Sequence, residues 1–169
     1  MLVRQATVDD ADGVALAQVR AWQVAYHGIV PAQLLAGLDP SARAQRRRAL
    51  ITDRPERTAT LVVTDGDTDD NAVLGFADIG PDGDEPAMGQ VYAIYVHPDH
   101  WRRGAGRVLM DAALAHLAAE GLRPVRLWVF EANDPARRFY ERCGFTLDGG
   151  VCTEEFGGVP LAEVRYRRP

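Results

Sequence analysis

Ile94-Tyr95-Val96-His97-Pro98-Asp99-His100-Trp101-Arg102-Arg103-Gly104-Ala105-Gly106-Arg107 is the stretch on which the reading of this chain turns. It reads as the end of a strand, a proline-marked turn, a glycine-punctuated loop and the first turn of a helix. Val91 to Val96 is β-branched and aromatic, as strands prefer. From Val108 to Leu117 the apolar residues Met110, Ala113, Leu114 and Leu117 recur three or four apart, the face of a helix that Gly121 then stops. The first N–H groups of a helix have no internal partner, and they carry the positive end of the helix dipole. Glycines let a bulky anion come close to them. The dipole supplies only ~0.3–1 kcal/mol, whereas each hydrogen bond to a charged group contributes roughly 1.5–3 kcal/mol. Converging amides therefore outweigh the dipole. The junction therefore favours an anion, with a pyrophosphate its natural guest, where Gly104 and Gly106 stand flanked by Arg102, Arg103 and Arg107.

A Gly-x-Gly by itself also describes an ordinary tight turn. Two better-known phosphate loops are excluded. The P-loop requires a lysine, and all 19 basic residues of this chain are arginine. The dinucleotide fingerprint requires a third glycine, where this chain has Leu109.

The bulk properties fit one folded domain spanning residues 1–169, with 47% apolar residues. No apolar run approaches the ~18 residues of a membrane span, and the N-terminus carries no signal-peptide pattern. The net charge of −5 gives no general attraction to nucleic acid or anionic membrane. Cys143 and Cys152 have no metal or redox spacing. They read as reduced thiols of a cytoplasmic protein, and no metal is expected.

Along the chain, Leu2–Thr7 reads as a strand, and Asp9 or Asp10 as the cap of a helix running through Val14, Ala17, Ala21 and Trp22 toward Tyr26. Pro31 starts a short helix and Pro40–Ile51 a third, on which Arg43 to Arg48 read as a solvated face. Ala59–Thr64 and Ala72–Ile79 read as strands joined by the acidic turn Asp65–Asn71. That turn lacks the closing glutamate of a calcium loop and reads as a solvated hairpin tip. After the opening stretch come a strand at Pro124–Phe130 and a helix opened by Asp134-Pro135 as N-cap and N1. Its apolar face carries Ala136, Phe139, Tyr140 and Cys143. Strands begin at Phe145–Leu147 and end at Leu161–Tyr166, with Glu154 and Glu155 in the loop between them. The order β-α-α-α-β-β-β-α-β-α-β-β predicts one mixed α/β sheet with helices on both faces.

The segment Leu127–Phe145 adds a second constellation: Val129, Asn133, Ala136, Phe139, Tyr140, Gly144 and Phe145. With Val96, Pro98, Gly104 and Gly106 it resembles the GCN5-related N-acetyltransferase superfamily. The acetyl-CoA loop of that family has the form Gln/Arg-x-x-Gly-x-Gly/Ala. Its later signature is roughly Val-x-x-x-Asn-x-x-Ala-x-x-Phe-Tyr-x-x-x-Gly-Phe. One position departs: the loop begins with Trp101, with Arg102 and Arg103 beside it to supply charge.

The resemblance implies a mostly antiparallel central sheet of about seven strands, splayed between the fourth and fifth. The pantetheine arm of acetyl-CoA would lie in that split, along Tyr95 and Val96, pairing with freed backbone groups as an added strand would. It also implies transfer of an acetyl group to a primary amine of a small molecule or peptide. In these roles Tyr140 would protonate the departing thiolate and Asn133 would bond the pantetheine arm. The same two residues could instead be a core aromatic and a helix cap. A backbone N–H near Val96 would hold the oxyanion.

The general base is not evident: Gln90 stands near where some members carry glutamate, leaving Glu131, His97 and Tyr92 as candidates. Trp22 and Tyr26, one helical turn apart, and Tyr92 on the opposing strand form the expected acceptor wall, unless the first two simply pack the helix onto the sheet. Neither cysteine sits where a covalent acetyl carrier is expected, which favours direct attack in a ternary complex. The competing reading is a non-catalytic acyl-CoA-binding or regulatory module of the same fold. A homodimer follows from family habit alone.

Overall fold

The computed structural model describes residues 1–66 and 72–169. Seven strands are formed: β1 (Leu2–Gln5), β2 (Ala59–Thr64), β3 (Val73–Pro81), β4 (Gly89–Val96), β5 (Val125–Phe130), β6 (Thr146–Phe156) and β7 (Val159–Arg168). They make one sheet in the order β1-β2-β3-β4-β5-β7-β6. Every neighbouring pair is antiparallel except β4 and β5. The mixed sheet expected from the element order is present, and most of the acidic turn 65–71 lies outside the described residues.

The helices are α1 (Ala11–Ala25), α2 (Ala32–Ala36), α3 (Pro40–Thr52), α4 (Ala105–Ala119) and α5 (Asp134–Arg142). Alternation along the strands sorts them into two layers. Val62 and Phe76 meet Val14, Ala17 and Ile51 of α1 and α3. Leu61, Val63 and Ala77 meet Leu109, Met110, Ala113 and Leu117 of α4, in a core that continues to Tyr140 and Cys143 of α5. The periodicity read along α4 is therefore its buried stripe, with Leu114 packed at its margin. Among the described residues no helix is long and apolar enough to cross a membrane.

Several local readings are corrected. Arg47 is buried: its Nη1 lies 2.5 Å from Asp78, its Nη2 donates to Gln18 at 3.0 Å, and its guanidinium stacks over Phe76 at 4.4 Å. Arg43 lies over the Trp22 ring at 5.1 Å. The α3 arginines are thus not all solvated, because Asp78 on β3 draws one into the layer between α3 and the sheet. Glu154 and Glu155 lie within β6, not in a loop. Strand β6 runs on to Phe156, and only Gly157 and Gly158 (φ +58° and +80°) join it to β7. Two successive left-handed residues suit a two-residue hairpin turn. At α5 the N-cap is Asn133, whose side-chain oxygen accepts from Ala136 N at 3.3 Å, with Asp134 the first helical residue. Strand β1 stops at Gln5, because Thr7 and Asp10 form a capping box that starts a short 3-10 turn into α1.

Candidate active site

The sheet is split between β4 and β5. Their parallel ladder has only two rungs, Gly89–Val125 and Gln90–Arg126. Beyond them each strand pairs on its outer side alone, β4 with β3 as far as Val96–Gly75 and β5 with β7 as far as Phe130–Glu163. The cause is visible in the β3–β4 register: Asp78 pairs with Ala93 and Ile79 with Val91, which leaves Tyr92 as an extra residue. Such a bulge increases local twist and bends its strand, here immediately after the last rung. The closed end of the split is held by Arg126, which donates to Glu85 at 2.6 Å and lies 3.7 Å from Asp82.

The glycine loop stands at the open end. Arg102 and Gly104 both adopt left-handed backbone conformations (φ +61° and +89°), and Arg102 to Gly104 are exposed. The N–H groups of Ala105, Gly106 and Arg107 begin α4 and have no intrahelical acceptor. Trp101, the departure from the loop motif, donates its indole N–H to the Val96 carbonyl at 2.7 Å and so ties the loop to the end of β4. Arg102 and Arg103 form no ion pair among the described residues. The Arg107 side chain is turned away, to Asp111 at 2.9 Å and the Arg142 carbonyl at 3.2 Å, so its amide is the group it offers the loop. Gly106 faces Phe139 of α5 and Val96 of β4: a Cβ there would lie 3.5 Å from the Phe139 ring and 3.8 Å from Val96.

Two aromatic groups approach the split from opposite faces. On the α1 side, Trp22, Tyr26, Phe130 and Phe156 gather with Val30 and Leu35. Their rings meet edge to face, Trp22–Tyr26 at 5.1 Å, Tyr26–Phe130 at 4.9 Å and Phe130–Phe156 at 5.1 Å. The Tyr26 and Tyr95 hydroxyls are hydrogen-bonded at 3.0 Å. On the other side, Tyr140 is buried against Phe139, Phe145 and Tyr166. Its hydroxyl makes no side-chain hydrogen bond among the described residues. Burial pushes the Tyr140 phenol well above its ordinary range, with the Tyr95 charge adding to the shift. Tyr26 is raised by burial and then by Tyr95, and Tyr140 also acts on it.

Other expected residues lie elsewhere. Tyr92 does not join Trp22 and Tyr26; its hydroxyl donates to the Pro81 carbonyl and its ring packs on Gly80. Packed on Gly80, which shares the face of Phe76 on β3, Tyr92 stays on the α1 side but lies toward the closed end of the split, away from Trp22 and Tyr26. Tyr95 takes its place in the aromatic group. Glu131 is exposed, and its carbonyl accepts from Arg137 at 3.0 Å. His97 accepts from the Asp99 amide at 3.4 Å and lines a separate groove of about 450 Å³ along α1 with Arg20 and Gln23. The carboxyl that approaches the split is Glu163, opposite Phe130. Sequence reading passed over it because alternation along β7 put it on a polar face, and only the α1–α2 cover makes that face an interior.

A sheet opened between its one parallel pair, with bare amides at one end of the gap and a buried phenol beside it, defines an acyltransferase-type cleft. The sequence profile of the acetyltransferase (GNAT) family matches residues 18–145, and the chain belongs to that family. It is 30% identical over 141 residues to the N-acetyltransferase YuaI of Bacillus subtilis (strain 168), covering 82% of this chain and 76% of that protein. It is 44% identical over 88 residues to mycothiol acetyltransferase of Kocuria rhizophila, but spans only 28% of that protein's length. The fold matches the PaiA N-acetyltransferase of Thermoplasma acidophilum, solved in complex with coenzyme A, with a TM-score of 0.72 over 99% of this chain and 97% of that one, at 15% identity. Acetyl transfer from acetyl-CoA is the activity that family membership assigns to the chain.

Proposed function

We propose that this enzyme acetylates a primary amine of a small molecule or peptide by direct attack in a ternary complex. The observation that carries the reading is the Tyr140 hydroxyl on the helix after β5: its ring is buried, but the hydroxyl has no hydrogen-bond partner among the described residues and is not sealed from solvent. The amides of Arg102 to Arg107 suit a pyrophosphate, because those that open α4 have no intrahelical acceptor and lie at the positive end of its dipole. Tyr95 and Val96 border the unpaired side of β4, which offers backbone partners to the amide groups of a pantetheine arm. Asn133 commits its oxygen to the helix cap, which leaves its NH2 group to donate to a ligand carbonyl. The helix-cap and ligand readings of this side chain are thus compatible.

Tyr140 is protonated at neutral pH and so carries a proton for the departing thiolate; burial raises it further and weakens it as an acid, so the transfer relies on positioning. Cys152 is raised by burial and by Glu163 and Glu154, the reverse of an activated nucleophile, and Cys143 is buried in the core. Both facts favour transfer without a covalent enzyme intermediate. The acceptor would enter by the recess of Trp22 and Tyr26. A cytoplasmic setting, consistent with two free cysteines, and a homodimer complete the proposal.

The test is thiol release from acetyl-CoA with a panel of amines. Tyr140→Phe keeps the ring contacts and removes only the proton. It is expected to lower kcat about 100-fold or more while the thermal shift given by CoA stays unchanged. Wild-type kcat in this variant across the pH range would remove Tyr140 from the mechanism. Thiol release with no amine in the panel would leave the binding-module reading in its place.

A further inference from the structure

Glu163 on β7 stands directly opposite Phe130 on β5 and Cys152 on β6, so the three side chains share one face of the sheet. Trp22, Tyr26 and Phe156 close over that face. The carboxyl is partly buried and forms no ion pair among the described residues. Its one side-chain contact there is with the Cys152 thiol, Sγ to Oε2 at 3.8 Å. Arg165, two residues along the same face, is already taken: its Nε lies 2.9 Å from both oxygens of Asp148 and its guanidinium rests over Trp128 at 5.4 Å. The other charged neighbour, Glu154 on β6, repels it.

A carboxylate taken partly out of water without a cation is unfavourable, and the rings of Trp22, Tyr26, Phe130 and Phe156 stand on the same face. Burial and Glu154 raise the Glu163 carboxyl, the thiol of Cys152 opposing them. Glu163 is linked to the unpaired edge of β4 by contacts: it lies opposite Phe130, whose ring meets Tyr26 at 4.9 Å, and the Tyr26 hydroxyl is hydrogen-bonded to that of Tyr95 at 3.0 Å.

We propose that Glu163 receives the ammonium group of the acceptor and takes its proton, and that acceptors are amines cationic in solution and flanked by an apolar or aromatic group. The proposal rests on the amine-acceptor reading above. The carboxylate pairs with R–NH3+, and the Tyr26 and Phe130 rings attract the same charge, the Trp22 ring being already covered by Arg43. One N–H proton passes to Glu163, freeing the nitrogen lone pair. That nitrogen attacks the thioester carbonyl carbon, the C–N bond forms, and the C–S bond breaks with its electron pair going to sulfur. Tyr140 gives its proton to the thiolate and regains one from the nitrogen. Glu163 releases its own proton to water. Ammonium and thioester enter; amide, thiol and one proton leave.

The experiment compares 2-phenylethylamine, cationic at neutral pH, with O-benzylhydroxylamine, neutral there, as acceptors for wild type, Glu163→Gln and Glu163→Asp. In Glu163→Gln, kcat/KM for 2-phenylethylamine should fall about 100-fold or more, and the acidic limb of its pH profile should disappear. O-benzylhydroxylamine should lose less than about threefold, and the thermal shift given by CoA should match wild type. Glu163→Asp keeps the charge and should keep the preference for the cationic amine. An equal loss with both amines, or no loss with 2-phenylethylamine, overturns the role of Glu163 alone. Wild-type protein that binds CoA yet acetylates neither amine overturns the amine-acceptor reading and Glu163 with it.

Discussion

Replacing Gly106 by valine separates the anion loop from the fold that carries it. Gly106 is the second residue of α4 and looks across the cleft mouth at Phe139 and Val96. A Cβ alone lies 3.5 Å from the Phe139 ring, an ordinary contact, so Gly106→Ala should fold and bind as wild type. Valine adds two methyls beyond that Cβ. They press on Phe139, an overpacking that costs about 1–3 kcal/mol, offset by a few tenths from helix propensity. They also fill space that a phosphate needs to reach the amides. Losing two charge-assisted hydrogen bonds at roughly 1.5–3 kcal/mol each weakens CoA binding by about 100-fold or more. In a thermal-shift assay, CoA at 100 times its Kd stabilises by ~2.7 kcal/mol, a rise of about 5–11 °C for a chain of this size. Wild type and Gly106→Ala should both show that rise, and Gly106→Val should keep no more than about 2 °C of it at the same concentration. A full CoA shift in Gly106→Val would mean that the anion does not sit at this helix start.

Arg47→Ala leaves the partly buried Asp78 with Thr60 alone and should destabilise by about 3–5 kcal/mol in urea unfolding; a loss below about 1 kcal/mol would contradict the burial described. Asp10 gives a pH test. Burial alone would raise its carboxyl, yet hydrogen bonds from Arg4 and Thr7 outweigh burial and hold it below its ordinary value. A carboxyl depressed by folding stabilises above its unfolded value of ~3.9 and loses that stabilisation as pH falls through the folded value. Asp10→Asn should therefore be less stable than wild type at neutral pH, with the difference shrinking below about pH 4 in unfolding curves; a gap that persists in acid would assign the loss to packing.

The sequence by itself determined the glycine loop, the order of elements and the Asn133–Tyr140 helix, because each depends on neighbours a few residues away. A helix start exposes amides whatever the rest of the chain does, and Trp22 and Tyr26 share a face at one turn's spacing. Only the tertiary structure decided what each face meets. Strand register put Tyr92 beside Gly80, away from the α1 aromatics, and left β4 and β5 paired only at Gly89–Val125 and Gln90–Arg126. Asp78 drew Arg47 inward, and Phe130 with the α1 aromatics enclosed Glu163. Alternation tells which side of a strand a residue occupies; strand register and the helix packed above tell whether that side is water or interior. Those are contacts between residues far apart in the chain, and no local pattern encodes them.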